Sequence, residues 1–368
     1  MQKTNFEELK KIIEINSWTK NKEGVDQNGE IFASWMEQLG YTLTRYTREK
    51  IGDHLHFTAP IRKGKKLLLL GHLDTVFPPE SFETFSEDDE WIYGPGVCDM
   101  KGGNYVALQA LRNVHAKFGE IHNIDFLLVS DEETGSDDSK HLSAKLAEEY
   151  DYCMVFEAAG IHNEVVIVRK GVGTFFIDIE GLAAHAGNHY SDGSDANLEA
   201  AHKLTKLVAL TDLDKQTTVN VGKIEGGIGA NTISPHAKLT FELRYTTAEE
   251  RDRVLTEINH IVMESTVTGT TATLSGGIQR DVMQASRQQQ LFIDQINRLC
   301  NVELPTEQRG GVSDANIISS QGVPTLDGWG PFGDGDHTIR ERASKQSFKE
   351  RIGLVTQIFD HFLQGEIL

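Results

Sequence analysis

The chain has 368 residues, 39% of them hydrophobic and 25% charged, which is typical of a globular protein long enough for two domains. Its 55 acidic and 36 basic side chains give a net charge of −19, which argues against a nucleic-acid or anionic-membrane partner. The three cysteines are widely separated, the first residues lack the apolar core of a signal peptide, and no apolar run approaches the length of a membrane span. We therefore expect a cytoplasmic protein without a membrane partner.

The first 160 or so residues alternate helical and strand-like patterns. Helical spacing predicts a first helix with Leu9, Ile12 and Ile13 on its apolar face, begun by a capping box of Thr4 and Glu7. The predicted elements that follow are a helix ending at Gly40, strands at 41–46, 55–58 and 67–70, a helix from Gly102, and strands at 124–130 and 152–156. Strands that alternate with helices in this way predict a mostly parallel sheet.

The pattern changes near residue 173, where apolar and polar residues begin to alternate as in half-exposed antiparallel strands. The predicted order is β-α-β-β-α-β, with strands at 175–180, 217–224, 238–245 and 271–274 and helices at 198–210 and around 254–262. Amphipathic helices then return, the last of them at 348–362. The sequence therefore predicts an α/β domain formed by residues 1–172 and 280–368, with a two-layer α+β domain inserted at 173–279.

The stretch 67–75 places polar groups directly after a buried strand. Four consecutive leucines are followed by Gly71, and then by His72 and Asp74. Ligands bind at the carboxyl ends of parallel strands, so we interpret His72 as a metal ligand and Asp74 as the carboxylate that orients it. The alternative for this stretch alone is that Asp74 caps a turn beside a surface histidine.

Further candidate ligands follow other predicted strands or lie in turns. Together with His72 they are Asp99, Glu133, Glu157 and His337. Two imidazoles and three carboxylates suit a pair of divalent ions such as zinc, provided that one carboxylate bridges them. Glu132 adjoins Glu133 and can serve the same site only in a bent turn, where it would act as a general base. The alternative is that this acidic run begins a helix.

Three motifs resemble those of the aminoacylase/carboxypeptidase-G family of two-zinc peptidases and amide hydrolases, peptidase family M20. They are GHLDT at 71–75, GPGVCDMKGG at 94–103 and DEETGS at 131–136. Within the family, the chain resembles the glutamate carboxypeptidases of the G type. The resemblance implies that Asp99 bridges two zinc ions, that His72 and Glu157 complete one site, and that Glu133 and His337 complete the other. It also implies that Asp74 orients His72 and that Glu132 is the general base.

The inserted domain resembles the lid and dimerisation domain of the same family. GLAAHAG at 181–187 implies that His185 stabilises the oxyanion in the active site of a partner subunit. GANTISP at 229–235 and LRY at 243–245 imply substrate contacts by Asn231 and Arg244, the latter to a carboxylate. GGVSD at 310–314 resembles a glycine-rich substrate loop that contains Gly310 and Gly311, with Val312 where threonine is common.

The sequence therefore predicts a homodimeric hydrolase that cleaves an amide bond next to a C-terminal amino acid in a small peptide or N-acyl amino acid. A hydroxide that bridges two zinc ions is expected to attack, with Glu132 as its base. Cobalt and manganese are alternative metals, because sites that mix histidine and carboxylate discriminate poorly. The alternative functions are an N-acyl-amino-acid deacetylase, an aminopeptidase or dipeptidase, and a non-catalytic binding protein on the same fold.

Overall fold

The computed structural model of the chain describes residues 6–367. These residues form two compact units. Among them, the first unit comprises residues 6–168, Ala285–Arg309 and residues 313–367, and the second comprises Arg169–Gln284 and Gly310–Val312. Thr4 of the predicted capping box lies outside the described residues.

Sixteen strands occur within the described residues. In chain order they are β1 (Thr42–Tyr46), β2 (His54–Thr58), β3 (Leu67–His72), β4 (Ser86–Glu87), β5 (Trp91–Tyr93), β6 (Ile124–Val129), β7 (Tyr152–Val155), β8 (Val165–Arg169), β9 (Gly171–Glu180), β10 (Thr218–Gly226), β11 (His236–Tyr245), β12 (Thr271–Arg280), β13 (Thr306–Arg309), β14 (Thr325–Leu326), β15 (Gly333–Asp334) and β16 (Arg342–Ser344).

Nine α-helices join these strands over the same residues. They are α1 (Glu7–Ile13), α2 (Lys22–Glu37), α3 (Lys101–Phe118), α4 (Ser139–Ala147), α5 (Ala196–Val208), α6 (Ala248–Met263), α7 (Arg287–Cys300), α8 (Ala315–Ser320) and α9 (Lys345–Leu363). Among the described residues, no helix combines the length and the apolar character needed to span a bilayer.

A six-stranded sheet in the order β1-β2-β6-β3-β7-β14 forms the centre of the first unit. β3 pairs in parallel with β6 and with β7, and β7 pairs in parallel with β14, whereas β1 and β2 are antiparallel additions. The four leucines of β3 are fully buried, as expected for a strand between two neighbours in a covered sheet. The predicted α/β fold with a mostly parallel central sheet is confirmed.

A second, smaller sheet in the first unit has the order β15-β16-β5-β4. Its strands are two or three residues long, and two of them lie in the acidic stretch 77–93, where the sequence analysis predicts no strand. This sheet matters for the site because β15 and β16 flank the loop that carries His337.

The second unit has the predicted β-α-β-β-α-β order, with sheet order β10-β11-β9-β12. Along β9, the alternate residues Phe175, Ile177 and Ile179 are buried, and the residues between them are partly exposed. Helices α5 and α6 pack against each other and against this sheet. Burial on one face of the sheet explains the period-2 pattern in the sequence.

Candidate metal centre

Three predicted ligands lie at the carboxyl ends of adjacent parallel strands. His72 is the last residue of β3, Glu157 lies two residues after β7, and Glu133 lies in a single 3-10 turn just after β6. Because β6, β3 and β7 are neighbours in the sheet, their carboxyl ends meet at one edge. The fold therefore brings together three residues that are far apart in sequence.

Two loops supply the other predicted ligands. Asp99 lies just before α3, and the Asp99–Met100 peptide bond is cis. His337 lies in the loop between β15 and β16, with a left-handed backbone conformation at φ 59°. Both side chains reach the edge at which the strands end.

The five side chains form two groups that share Asp99. In the first group, His72 Nε2 lies 3.2 Å from Asp99 Oδ1 and 3.7 Å from Glu157 Oε1. In the second, His337 Nε2 lies 3.2 Å from Asp99 Oδ2 and 3.2 Å from Glu133 Oε2. Each group thus combines one imidazole, one unshared carboxylate and one oxygen of Asp99.

The spacing of these atoms fits divalent metal ions. A tetrahedral ion with bonds of about 2.0–2.1 Å to nitrogen and oxygen holds its ligands about 3.3 Å apart, and the observed separations are 3.2–3.7 Å. The donor set of imidazole nitrogens and carboxylate oxygens suits zinc, cobalt or manganese. Both groups in the structure therefore have the chemistry and the spacing of a metal site.

The electrostatics of the cluster also indicate a cation. Burial, reinforced by the charge of Asp99, raises the pKa of Glu133 to about 8 and that of Glu157 well above its ordinary value. Hydrogen bonds to Asp99 and Glu133 raise the pKa of His337 to about 11. Carboxylates held this close repel one another when ionised, and a divalent ion bound among them would favour their charged forms.

Asp74 supports His72 through its backbone and its side chain. His72 Nδ1 donates to the backbone carbonyl oxygen of Asp74 at 3.0 Å, and Asp74 Oδ1 lies 3.4 Å from the same nitrogen. This leaves Nε2 as the nitrogen that faces Asp99 and Glu157. Asp74 Oδ2 accepts a hydrogen bond from the Thr19 hydroxyl at 2.7 Å and one from the Glu133 amide at 3.3 Å. Sequence reasoning missed Thr19, which has no motif around it.

Glu132 lies in the same 3-10 turn as Glu133, so the chain has the bend that a shared site requires. Its side chain is partly buried. Burial and the charge of Asp99 are the largest causes that raise the pKa of Glu133 and Glu157, and the charge of Glu132 is a smaller one. This smaller contribution indicates that the Glu132 carboxylate lies near the other two. The turn thus allows two adjacent glutamates to approach one centre.

In the second unit, the structure brings His185 and Asn231 together. The two segments form a short antiparallel bridge in which the Ala186 amide donates to the Asn231 carbonyl oxygen at 3.0 Å. His185 Nδ1 accepts hydrogen bonds from the amides of Gly187 and Asn188, each at 3.2 Å. An Nδ1 that accepts places the proton of the neutral ring on Nε2, so this exposed imidazole presents an N–H donor.

Arg244 is paired in the structure with a residue that sequence reasoning did not select. Its guanidinium donates to both oxygens of Glu242, at 2.7 and 3.2 Å, and to the Gly310 carbonyl oxygen at 3.0 Å. The neighbouring Gly311 carbonyl oxygen accepts from Arg169 at 3.1 Å. Residues two apart on a strand share a face, and that spacing alone could have indicated the pair of Glu242 and Arg244.

A mixed sheet whose strand ends carry two imidazole–carboxylate groups has the features that metal-dependent hydrolysis requires. Residues 68–361 match the model of peptidase family M20/M25/M40, and the chain belongs to this family. It is therefore an enzyme of the metallopeptidase and amidohydrolase class, rather than a non-catalytic binding protein on the same fold.

Similar proteins catalyse several related reactions. Carboxypeptidase G2 from Pseudomonas sp. (strain RS-16) is 27% identical over 341 residues, which are 90% of this chain and 82% of that protein. Acetylornithine deacetylase from Photorhabdus laumondii is 26% identical over 262 residues, or 65% and 66% of the two chains. The structure of aminopeptidase PepT from Bacillus cereus superposes with a TM-score of 0.80 at 22% identity, over 96% of each chain. A tripeptidase from Staphylococcus aureus gives a TM-score of 0.77 at 23% identity, over 97% of this chain and 96% of that one.

Proposed function

We propose that the protein is a two-zinc hydrolase that cleaves the amide bond next to a C-terminal amino acid, as a glutamate carboxypeptidase does. The observation that carries the proposal is the position of Asp99, whose two carboxylate oxygens each lie 3.2 Å from a different histidine. His72 and Glu157 would hold one ion, and Glu133 and His337 the other. The similarity to Carboxypeptidase G2, which extends over 90% of the chain, supports the carboxypeptidase specificity.

Bound zinc would polarise the scissile carbonyl and lower the pKa of the attacking water. Glu132 takes a proton from that water on its carboxylate and later delivers it to the departing amine. Asp74 keeps the His72 ring in one orientation throughout, through the contacts at Nδ1. The chain thus provides both the proton shuttle and the rigid support that the reaction needs.

The second unit supplies the groups that recognise the substrate. We propose that it acts as a lid and as the dimerisation domain, and that His185 donates its Nε2–H to the oxyanion in the partner subunit's active site. Asn231, on the segment paired with His185, would contact the same substrate. Arg244 would bind the free C-terminal carboxylate of the substrate, near the loop that contains Gly310 and Gly311. Binding would require that at least one of the two hydrogen bonds from Arg244 to Glu242 breaks.

The alternatives within the same chemistry are hydrolysis of N-acyl amino acids, as in a deacetylase, and cleavage from the amino end, as in an aminopeptidase or dipeptidase. The similarity to Acetylornithine deacetylase favours the first of these, and the fold shared with aminopeptidase PepT and the tripeptidase favours the second. The aminopeptidase and dipeptidase reactions differ from the proposed one in which end of the substrate is recognised, whereas the deacetylase reaction differs in the acyl group that is released.

A panel of dipeptides and N-acyl amino acids tests the specificity. We expect hydrolysis to require a free C-terminal carboxylate, with C-terminal amides cut about 10–100-fold more slowly in kcat/KM, because a charged bidentate hydrogen bond is lost. The variant Arg244→Lys should reduce this preference, whereas Arg251→Lys, in α6 of the same unit, should leave it unchanged. Substrates with a blocked amino group should remain good substrates. A requirement for a free amino terminus would instead indicate an aminopeptidase.

Complementation between two inactive variants tests the role of His185 in the partner's site. We expect His185→Ala and Glu132→Gln each to be nearly inactive alone. When the two are unfolded together and refolded, mixed dimers should regain activity, because one of their two sites combines an intact Glu132 with an intact His185 from the partner. If His185 acts within its own chain, or if the protein is a fully active monomer, the mixture will show only the activity of the separate variants.

A further inference from the structure

Glu341 is a fully buried carboxylate whose hydrogen bonds go mainly to backbone amides. Its Oε1 accepts from the amide of Cys98 at 3.0 Å and from the amide of Asp99 at 3.1 Å, and its Oε2 accepts from the amide of Gly96 at 3.0 Å. The Cys98 thiol adds a weak contact to Oε1 at 3.5 Å. One carboxylate therefore binds three amides of the loop that ends at Asp99.

The backbone of Glu341 belongs to the other ligand loop. Glu341 follows His337 by four residues, and its amide donates to the Thr338 carbonyl oxygen at 3.1 Å. Its own carbonyl oxygen accepts from the Gly94 amide at 3.3 Å. A single residue thus connects the loop of His337 to the loop of Asp99 through both its backbone and its side chain.

We infer that Glu341 is a positioning residue that fixes Asp99 relative to His337 and thereby sets the affinity of the second metal group, Asp99, Glu133 and His337. This inference rests on the proposed two-zinc function. Groups that support metal ligands typically contribute 10–100-fold in metal affinity when their hydrogen bonds fix the position of a ligand. Glu341 fits that role because it binds the amide of Asp99 itself and lies on the loop of the second ligand.

The contacts also predict which of the two ligand groups loses more zinc affinity when Glu341 is replaced. Asp99 contributes an oxygen to both groups, but only the second contains His337. His72 is held independently, by Asp74 at Nδ1 and by Asn104, whose side-chain amide donates to the His72 carbonyl oxygen at 2.7 Å. Loss of Glu341 should therefore lower the zinc affinity of the second group more than that of the first.

The test is a zinc titration of the metal-free protein against a chromophoric chelator, for the parent and for Glu341→Gln. Glutamine keeps the size of the side chain but has only one acceptor oxygen for three amides. We expect one of the two zinc affinities, that of the group Asp99, Glu133 and His337, to fall by about 10–100-fold and the other to change less. With cobalt as the probe, the absorption bands of one of the two bound ions should shift, a change that a general loss of stability does not produce.

Asp334→Asn is the matched control. Asp334 lies in the same hairpin and pairs with Arg342 at 2.9 and 3.0 Å, but it is half exposed, and this pairing does not involve the loop of Asp99. Both zinc affinities of this variant should equal those of the parent. Glu341→Asp, which keeps the charge on a shorter side chain, serves as a second variant. Its zinc affinities should lie between those of the parent and those of Glu341→Gln.

Parent affinities and an unshifted cobalt spectrum in Glu341→Gln would overturn the inference but leave the proposed function intact. Failure of both Glu341 variants to fold would also overturn it, since the residue would then be needed for the fold as a whole. If the parent itself binds no zinc, the proposed function fails instead, and the two failures are therefore distinguishable.

Discussion

Replacing Glu132 by glutamine is expected to lower kcat by about 100–10,000-fold, which is the contribution of a well-placed general base or acid. Glutamine has the same shape as glutamate but cannot accept the proton of the attacking water. Glu132 belongs to neither of the two ligand groups, so the variant should still bind about as much zinc as the parent. The measurement is steady-state hydrolysis of an N-acyl amino acid, with metal content determined on the same sample.

Asp137→Asn provides the control for Glu132. Asp137 lies in the same acidic segment but is exposed and pairs with Lys140 at 2.7 Å. We expect its activity to stay within about twofold of the parent, because exposed ion pairs of this kind contribute little. An active Glu132→Gln enzyme with parent zinc content would show that another group acts as the base.

Asp99→Asn is expected to cause a large loss of zinc affinity and of activity, because this carboxylate belongs to both ligand groups. Asparagine retains the size of the side chain but loses the negative charge that lies between the two imidazoles. Both zinc affinities should fall by more than the roughly 10–100-fold that loss of a supporting group costs. Activity without added metal should be lost, and zinc should no longer raise the melting temperature as it does for the parent.

Asp336→Asn is the matched control for this prediction. Asp336 adjoins His337 and is exposed, and it belongs to neither ligand group. The zinc-dependent shift in melting temperature should remain as in the parent. If Asp99→Asn loses one ion but keeps the other with unchanged affinity, Asp99 belongs to a single site and the bridged arrangement is wrong.

The central sheet was predictable because local and long-range constraints agree in it. The leucines of β3 form a continuous apolar run, which is typical of a strand covered on both faces. Parallel neighbours end at a common edge, so residues that follow such strands, among them His72 and Glu157, were expected to meet. The second unit was predictable from a different pattern. Apolar and polar residues alternate along its strands, and burial alternates in the same way along β9 and β11.

The supporting residues were not predictable in the same way. Thr19 and Glu341 make hydrogen bonds to residues that are far away in the chain. A local sequence pattern contains no information about such partners. The short strands β4 and β15, of two residues each, contain no periodicity that could be read, and only their pairing in three dimensions defines them. For Arg244, sequence similarity supplied a role, but the structure added the competing carboxylate of Glu242.

The most direct test of the two-metal account is the zinc content of the parent protein after removal of all metal by a chelator and equilibration with excess zinc, followed by gel filtration. We expect two zinc ions per chain, with hydrolytic activity that is lost on chelation and regained as the ions return. A protein that retains no zinc, or that stays fully active when free of metal, would contradict it.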